Sequence, residues 1–75
     1  MNVEKELDVR GLSCPLPVLR TKQALNSLDG GKVLKVTATD PAAVKDIQAL
    51  ARHTGNELLE SAESGGEYTF LLRRQ

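Results

Sequence analysis

The three prolines of this 75-residue chain stand at only two places, Cys14-Pro15-Leu16-Pro17 and Asp40-Pro41, and they fix where helices can begin. Proline suits the first helical turn, where its missing N–H forfeits no bond and its φ is already helical. Each proline site follows a stretch of alternating polarity and opens one of helical period. Val3, Leu7 and Val9 share one parity and predict a strand ending near Arg10-Gly11. From Pro15 to Leu28, a wheel at 100° per residue gathers Pro17, Val18, Thr21, Ala24, Leu25 and Leu28 into an arc of roughly 120°. Asp29-Gly30-Gly31 is expected to end this helix, with glycine as a left-handed cap.

The pattern then repeats. Lys32 to Thr39 alternates, with Leu34, Val36 and Ala38 on one side. Asp40 reads as an N-cap and Pro41 as the first residue of a second helix, whose Ala43, Val44, Ile47, Leu50, Ala51 and Thr54 again share an arc of roughly 120°. Gly55 closes it. Leu58 to Glu63 and Tyr68 to Arg73, around Ser64-Gly65-Gly66-Glu67, form a hairpin signature in which Tyr68, Phe70 and Leu72 alternate. Leu58 and Leu59 are adjacent, so only one of them can face inward. The order βαβαββ predicts an α+β fold: a two-layer α/β sandwich over residues 1–75 as a single domain, with a four-stranded mixed sheet and two helices on one face.

A chain of this size buries about 60% of the surface it exposes when unfolded, which leaves no room for a cofactor fold. Ten basic and ten acidic residues cancel, and Tyr68 and Phe70 are the only aromatics. That balance argues against direct nucleic-acid binding. Glu57, Glu60, Glu63 and Glu67 gather in the hairpin. No apolar run approaches bilayer length and the first residues are polar, so no membrane association and a cytoplasmic setting are expected. One cysteine excludes an internal disulfide and a C-x-x-C motif, and it falls short of a thiolate zinc site. No metal and no cofactor are expected.

Cys14 is the candidate for chemistry. As an N-cap it would lie beside the unpaired N–H groups of Leu16 and Val18, with Pro15 and Pro17 shaping the helix start. The positive helix end would hold the thiol below its ordinary pKa and make it a usable nucleophile without a dedicated base. Arg10 and Arg20 flank it in sequence and are expected to add positive potential. Leu16 and Leu19 fall off the core arc, one turn apart, and read as a docking patch. The structural alternatives are a buried cysteine and leucines tucked under a loop. Asp40 and Pro41 read as helix capping. Asp46 and His53 share the outward side of the second helix, and His53 stands in a last turn that favours histidine, so both read as surface positions. An exposed reactive thiol also fits a redox sensor, and the chain as a whole fits a regulatory interaction module.

Leu7-Asp8-Val9-Arg10-Gly11-Leu12-Ser13-Cys14-Pro15-Leu16-Pro17 resembles the opening of the TusA (SirA-like) sulfur-carrier family. Thr39-Asp40-Pro41-Ala42 with Asp46-Ile47, and Gly55-Asn56-Glu57-Leu58, are similar to later family segments in register. The resemblance implies the same fold with sheet order 1-2-4-3. It also implies that Cys14 carries sulfane sulfur as a persulfide, as a carrier rather than a stand-alone catalyst. A cysteine desulfurase or rhodanese-like donor would load it, and a downstream sulfur-accepting protein would unload it, toward 2-thiouridine in tRNA or other sulfur-using pathways. A monomer is expected. Leu16 and Ser13 depart from some tRNA-pathway members, which have glutamate and arginine at these positions.

Overall fold

The structure is a computed structural model that describes residues 3–75. Its sheet is built around a parallel pair. β1 (Lys5–Val9) runs beside β2 (Val33–Ala38), with Leu7 opposite Val36 and Val9 opposite Ala38. Parallel neighbours need a crossover, and α1 (Leu16–Asn26) supplies it. α2 (Ala43–Thr54) then leads to β3 (Glu57–Ser64) and β4 (Glu67–Arg73). β4 inserts antiparallel between β2 and β3, giving the order β1-β2-β4-β3. This is the expected α+β fold, a mixed four-stranded sheet with two helices.

One face of the sheet carries the core. Val9, Leu34, Val36, Ala38, Phe70 and Leu72 meet Ala24 and Leu25 of α1 and Ala43, Ile47, Leu50 and Ala51 of α2, all buried. These are the alternating strand positions and the two helical arcs read from the sequence; Val18, Val44, Leu28 and Tyr68 pack at the margin. Fully burying a side chain such as Leu25, Ile47 or Phe70 contributes about 1.5–3 kcal/mol. The hydroxyl of Thr21, buried within α1, donates to Pro17 O at 2.7 Å. The buried Asn56 donates to Thr54 Oγ1 and accepts from the Gln75 N–H, both at 3.0 Å, tying the last residue to the end of α2. On the other sheet face Glu6 and Asp8 are exposed, while Lys35, Thr37, Thr69 and Leu71 are partly buried.

Several boundaries differ from expectation. Val3 is not part of β1; it is exposed and lies against the open face, beside Lys35, Ala62 and Leu71. α1 ends at Asn26, two residues early and without a glycine cap. Ser27 is right-handed there, and its hydroxyl takes the Ala24 carbonyl at 2.7 Å, competing with further helix. Gly31 instead turns the chain into β2, its N–H donating to Arg74 O at 2.6 Å. α2 begins at Ala43 rather than Pro41, because its first turn is tight: the Ala43 N–H donates to Asp40 O at 2.9 Å. Gly55 closes α2 in the left-handed region as expected. The Leu58/Leu59 conflict is resolved by a bulge between Leu58 and Glu60, which keeps Leu58 on the core. Gly65 and Gly66, at φ 59° and 84°, form the hairpin turn, where two consecutive positive φ values exclude most side chains.

Truncating Phe70, the largest fully buried side chain, is expected to be severe in a core this small. Phe70→Ala should cost about 3–5 kcal/mol and Ile47→Val about 0.5–1.5 kcal/mol in urea unfolding.

Candidate functional site at the end of the parallel strands

β1 and β2 are parallel, so the loops that leave them emerge at the same end of the sheet, and the residues joining these loops define the site. Arg10 to Pro15 connects β1 to α1; Thr39 to Ala42 connects β2 to α2. The Gly11 N–H donates to Thr39 Oγ1 at 2.9 Å, and Gly11 takes φ 79° to do so, a conformation other residues adopt with difficulty. Asp40 reaches both ways. Its Oδ1 accepts the Ala42 N–H at 3.0 Å, and its Oδ2 accepts the Cys14 N–H at 2.8 Å. Asp40 is not the N-cap of α2, which is Ala42 without a side-chain cap; instead one carboxylate oxygen closes the turn before the helix and the other holds the backbone of the thiol residue.

Cys14 itself is an exposed, free cysteine. The N-cap of α1 is Pro15, with Pro17 in the first turn, so Cys14 stands one residue outside the helix. Leu16 N–H donates to Ser13 O and Leu19 N–H to Pro15 O, at 2.9 and 3.1 Å. With the Leu16 N–H thus taken by Ser13, a donor expected to face the sulfur is used elsewhere. The Cys14 thiol instead donates to Asp46 Oδ2 on α2, at 3.3 Å. That bond raises the thiol pKa above its ordinary value, and desolvation and the charges of Asp46 and Asp40 push the same way. The expected lowering is replaced by a shift upward: the sulfur does not cap the helix, and the groups that act on it are two carboxylates 26 and 32 residues away.

The sulfur opens on a groove of about 410 Å³ between the helices, lined by Pro15, Val18 and Lys22 from one side and by Asp46, Leu50 and His53 from the other. Asp46 and His53, read as surface decoration, both border it. Their shared wheel face was the available signal: two helices on one sheet face bring flanking positions of each against the other. Leu16 and Leu19 are 40% and 48% exposed, and their spacing puts them on the outward ridge of α1, next to the groove rather than in it. Arg20 is exposed, and its position on the wheel falls on the α1 flank away from Val18 and Lys22.

Arg10 adds no free positive charge at the sulfur. Its guanidinium grips Asp8 through two nitrogens at 2.9 Å and reaches Glu67 at 3.4 Å. The arginine holds the Asp8 carboxyl down to about 2, and the two carboxylates raise Arg10 further above its ordinary range. Arg10 thus pins the start of the thiol loop to the hairpin.

Loss of the Asp40 grip should be visible at the backbone. Asp40→Ala is expected to speed amide hydrogen exchange at Cys14 and Ala42 at least several-fold, while the amides at the centre of β2 keep their protection.

The sulfurtransferase TusA family model matches residues 5–74. The chain is 55% identical to the sulfur carrier protein TusA of Allochromatium vinosum, over 95% of this chain and 93% of that protein. It is 39% identical to the sulfur carrier protein TusA of Pseudomonas putida, over 92% and 86% of the two chains. The crystal structure of a SirA-like protein from Desulfitobacterium hafniense superposes with a TM-score of 0.82 at 27% identity, covering 92% of this chain and 95% of that one. Sequence, fold and the placement of one free thiol at the shared end of two parallel strands agree, and the chain belongs to the TusA family of sulfur carriers.

Proposed function

We propose that Cys14 accepts sulfane sulfur as a persulfide and relays it to a partner protein. The observation that carries this reading is an exposed lone thiol, fixed by its backbone to Asp40, in a chain whose relatives are sulfur carriers. In the exchange, Cys14 sulfur bonds to the outer sulfur of a donor persulfide, the donor's S–S bond breaks, and the donor leaves as a thiolate. A partner thiolate or an activated substrate later removes the outer sulfur. A second neighbouring thiol would expel hydrosulfide and form a disulfide, so a single cysteine suits a carrier. The chain acts between enzymes rather than as a stand-alone catalyst.

Donors of the cysteine desulfurase and rhodanese classes fit this chemistry, with 2-thiouridine formation in tRNA and other sulfur-using pathways as destinations. A reduced thiol suits the cytoplasm; among the described residues no helix is long and apolar enough to cross a membrane. Two sulfurs must meet across an interface, and the exposed Leu16 and Leu19 beside an open thiol supply the apolar contact. A redox sensor is the weaker reading, because the family model and the relatives that match this chain are those of sulfur carriers.

Incubation with a cysteine desulfurase plus cysteine, or a rhodanese plus thiosulfate, should add one sulfur atom to the Cys14 peptide by mass spectrometry. Dithiothreitol should remove it, and Cys14→Ser should lack it; no gain from either donor on a folded, alkylatable protein would contradict the reading. Leu16→Glu should change stability by no more than about 0.5 kcal/mol, yet alter relative transfer rates among acceptors; equal rates before and after would remove Leu16 from the docking surface.

A further inference from the structure

A thiol that donates a hydrogen bond to a carboxylate keeps that partner only while it keeps its proton. Cys14 donates to Asp46 Oδ2 at 3.3 Å from an exposed position. The charged and titratable groups facing the sulfur are Lys22 from α1, Asp46 and His53 from α2, and Asp40 from the loop before α2. Of these, the two aspartates act on the thiol, and both favour S–H over the thiolate. An anionic sulfur at the same place would have no proton to offer and would meet a like charge.

We propose that Asp46 is a positioning residue that grips the unloaded Cys14 in its S–H form against α2 and repels the same side chain once it carries an anionic sulfane sulfur. The proposal rests on the persulfide reading. A persulfide is a stronger acid than the thiol it derives from, so near neutrality the loaded side chain is an anion while the unloaded one is neutral. Asp46 therefore tells the two states apart by charge. The empty thiol is held as S–H, which slows every reaction that needs the thiolate, uptake from a donor included. The loaded sulfur is disfavoured beside α2 and so is easier to hand over. The balance is that of an exchange without net redox: one S–S bond forms at Cys14, one breaks in the donor, and the Cys14 proton passes to the departing donor thiolate or to water.

Two assays on the intact chain, neither using a partner enzyme, test the clamp with Asp46→Asn and Asp46→Ala. The first is the pH profile of iodoacetamide alkylation of the unloaded protein. Both variants should shift the profile to lower pH and raise the rate at pH 7 about 3- to 10-fold, the scale of a charge-assisted hydrogen bond discounted for exposure. The second is the ratio of loaded to unloaded protein at equilibrium with a fixed mixture of glutathione persulfide and glutathione, read by intact mass. Both variants remove the charge that disfavours the loaded form, and Asp46→Ala also removes the hydrogen bond that stabilises the empty one, so this ratio should also rise by about 3- to 10-fold. A purely structural role for Asp46 would move neither readout in this direction. Superimposable alkylation profiles, or an unchanged loading ratio, would overturn the clamp. If wild type loads from a desulfurase while the variants match it in both assays, the clamp alone fails. If the variants shift as expected but neither donor enzyme loads wild type, the carrier reading fails and Asp46 keeps its grip on the thiol.

Discussion

The parallel pairing of β1 with β2 is the constraint on which the site depends. It delivers two loops to one end of the sheet, and the ends of parallel strands are where α/β sheets commonly place their chemistry. Pairing alone would leave these loops as independent turns. Asp40 joins them, with one oxygen on the Ala42 N–H at the start of α2 and the other on the Cys14 N–H, and the Gly11 N–H to Thr39 Oγ1 contact adds a second tie. The thiol is thus held by the backbone of its own residue, while its side chain stays exposed and within reach of Asp46.

This arrangement separates holding the sulfur from activating it. A helix N-terminus beside a cysteine often serves as an activating field, but here α1 begins at Leu16 with Pro15 as its N-cap, and the charges that shift the thiol are carboxylates. The sign follows directly. Negative neighbours and a hydrogen bond from S–H stabilise the protonated form, so the folded protein gains from this contact in the acidic and neutral range and loses it as pH rises through the elevated thiol pKa. Arg10, four residues before Cys14, does not offset this, because Asp8 and Glu67 occupy its guanidinium.

Most of the fold was legible in the sequence because its signals are local. The two apolar arcs, the alternation of Leu34, Val36 and Ala38, and the Gly65-Gly66 turn each depend on residues a few positions apart. What the sequence hid is tertiary. The bulge at Leu59 answers a conflict that alternation could only pose. The early stop of α1 depends on whether the Ser27 hydroxyl turns back onto Ala24. The direction of the thiol shift depends on which flank of α2 faces α1, and a wheel drawn for one helix treats that flank as solvent. Asp46 and Cys14 are 32 residues apart and meet only because both helices lie on one face of the sheet.

The central claim is that sulfur passes through Cys14 from one protein to another, and a pulse-chase with [35S]cysteine, a cysteine desulfurase and a thiol-bearing acceptor protein tests it most directly. The account predicts label first on this chain, lost to dithiothreitol, then appearing on the acceptor as the chain is depleted, with no passage through Cys14→Ser. Label reaching the acceptor at the same rate through wild type and Cys14→Ser would contradict it.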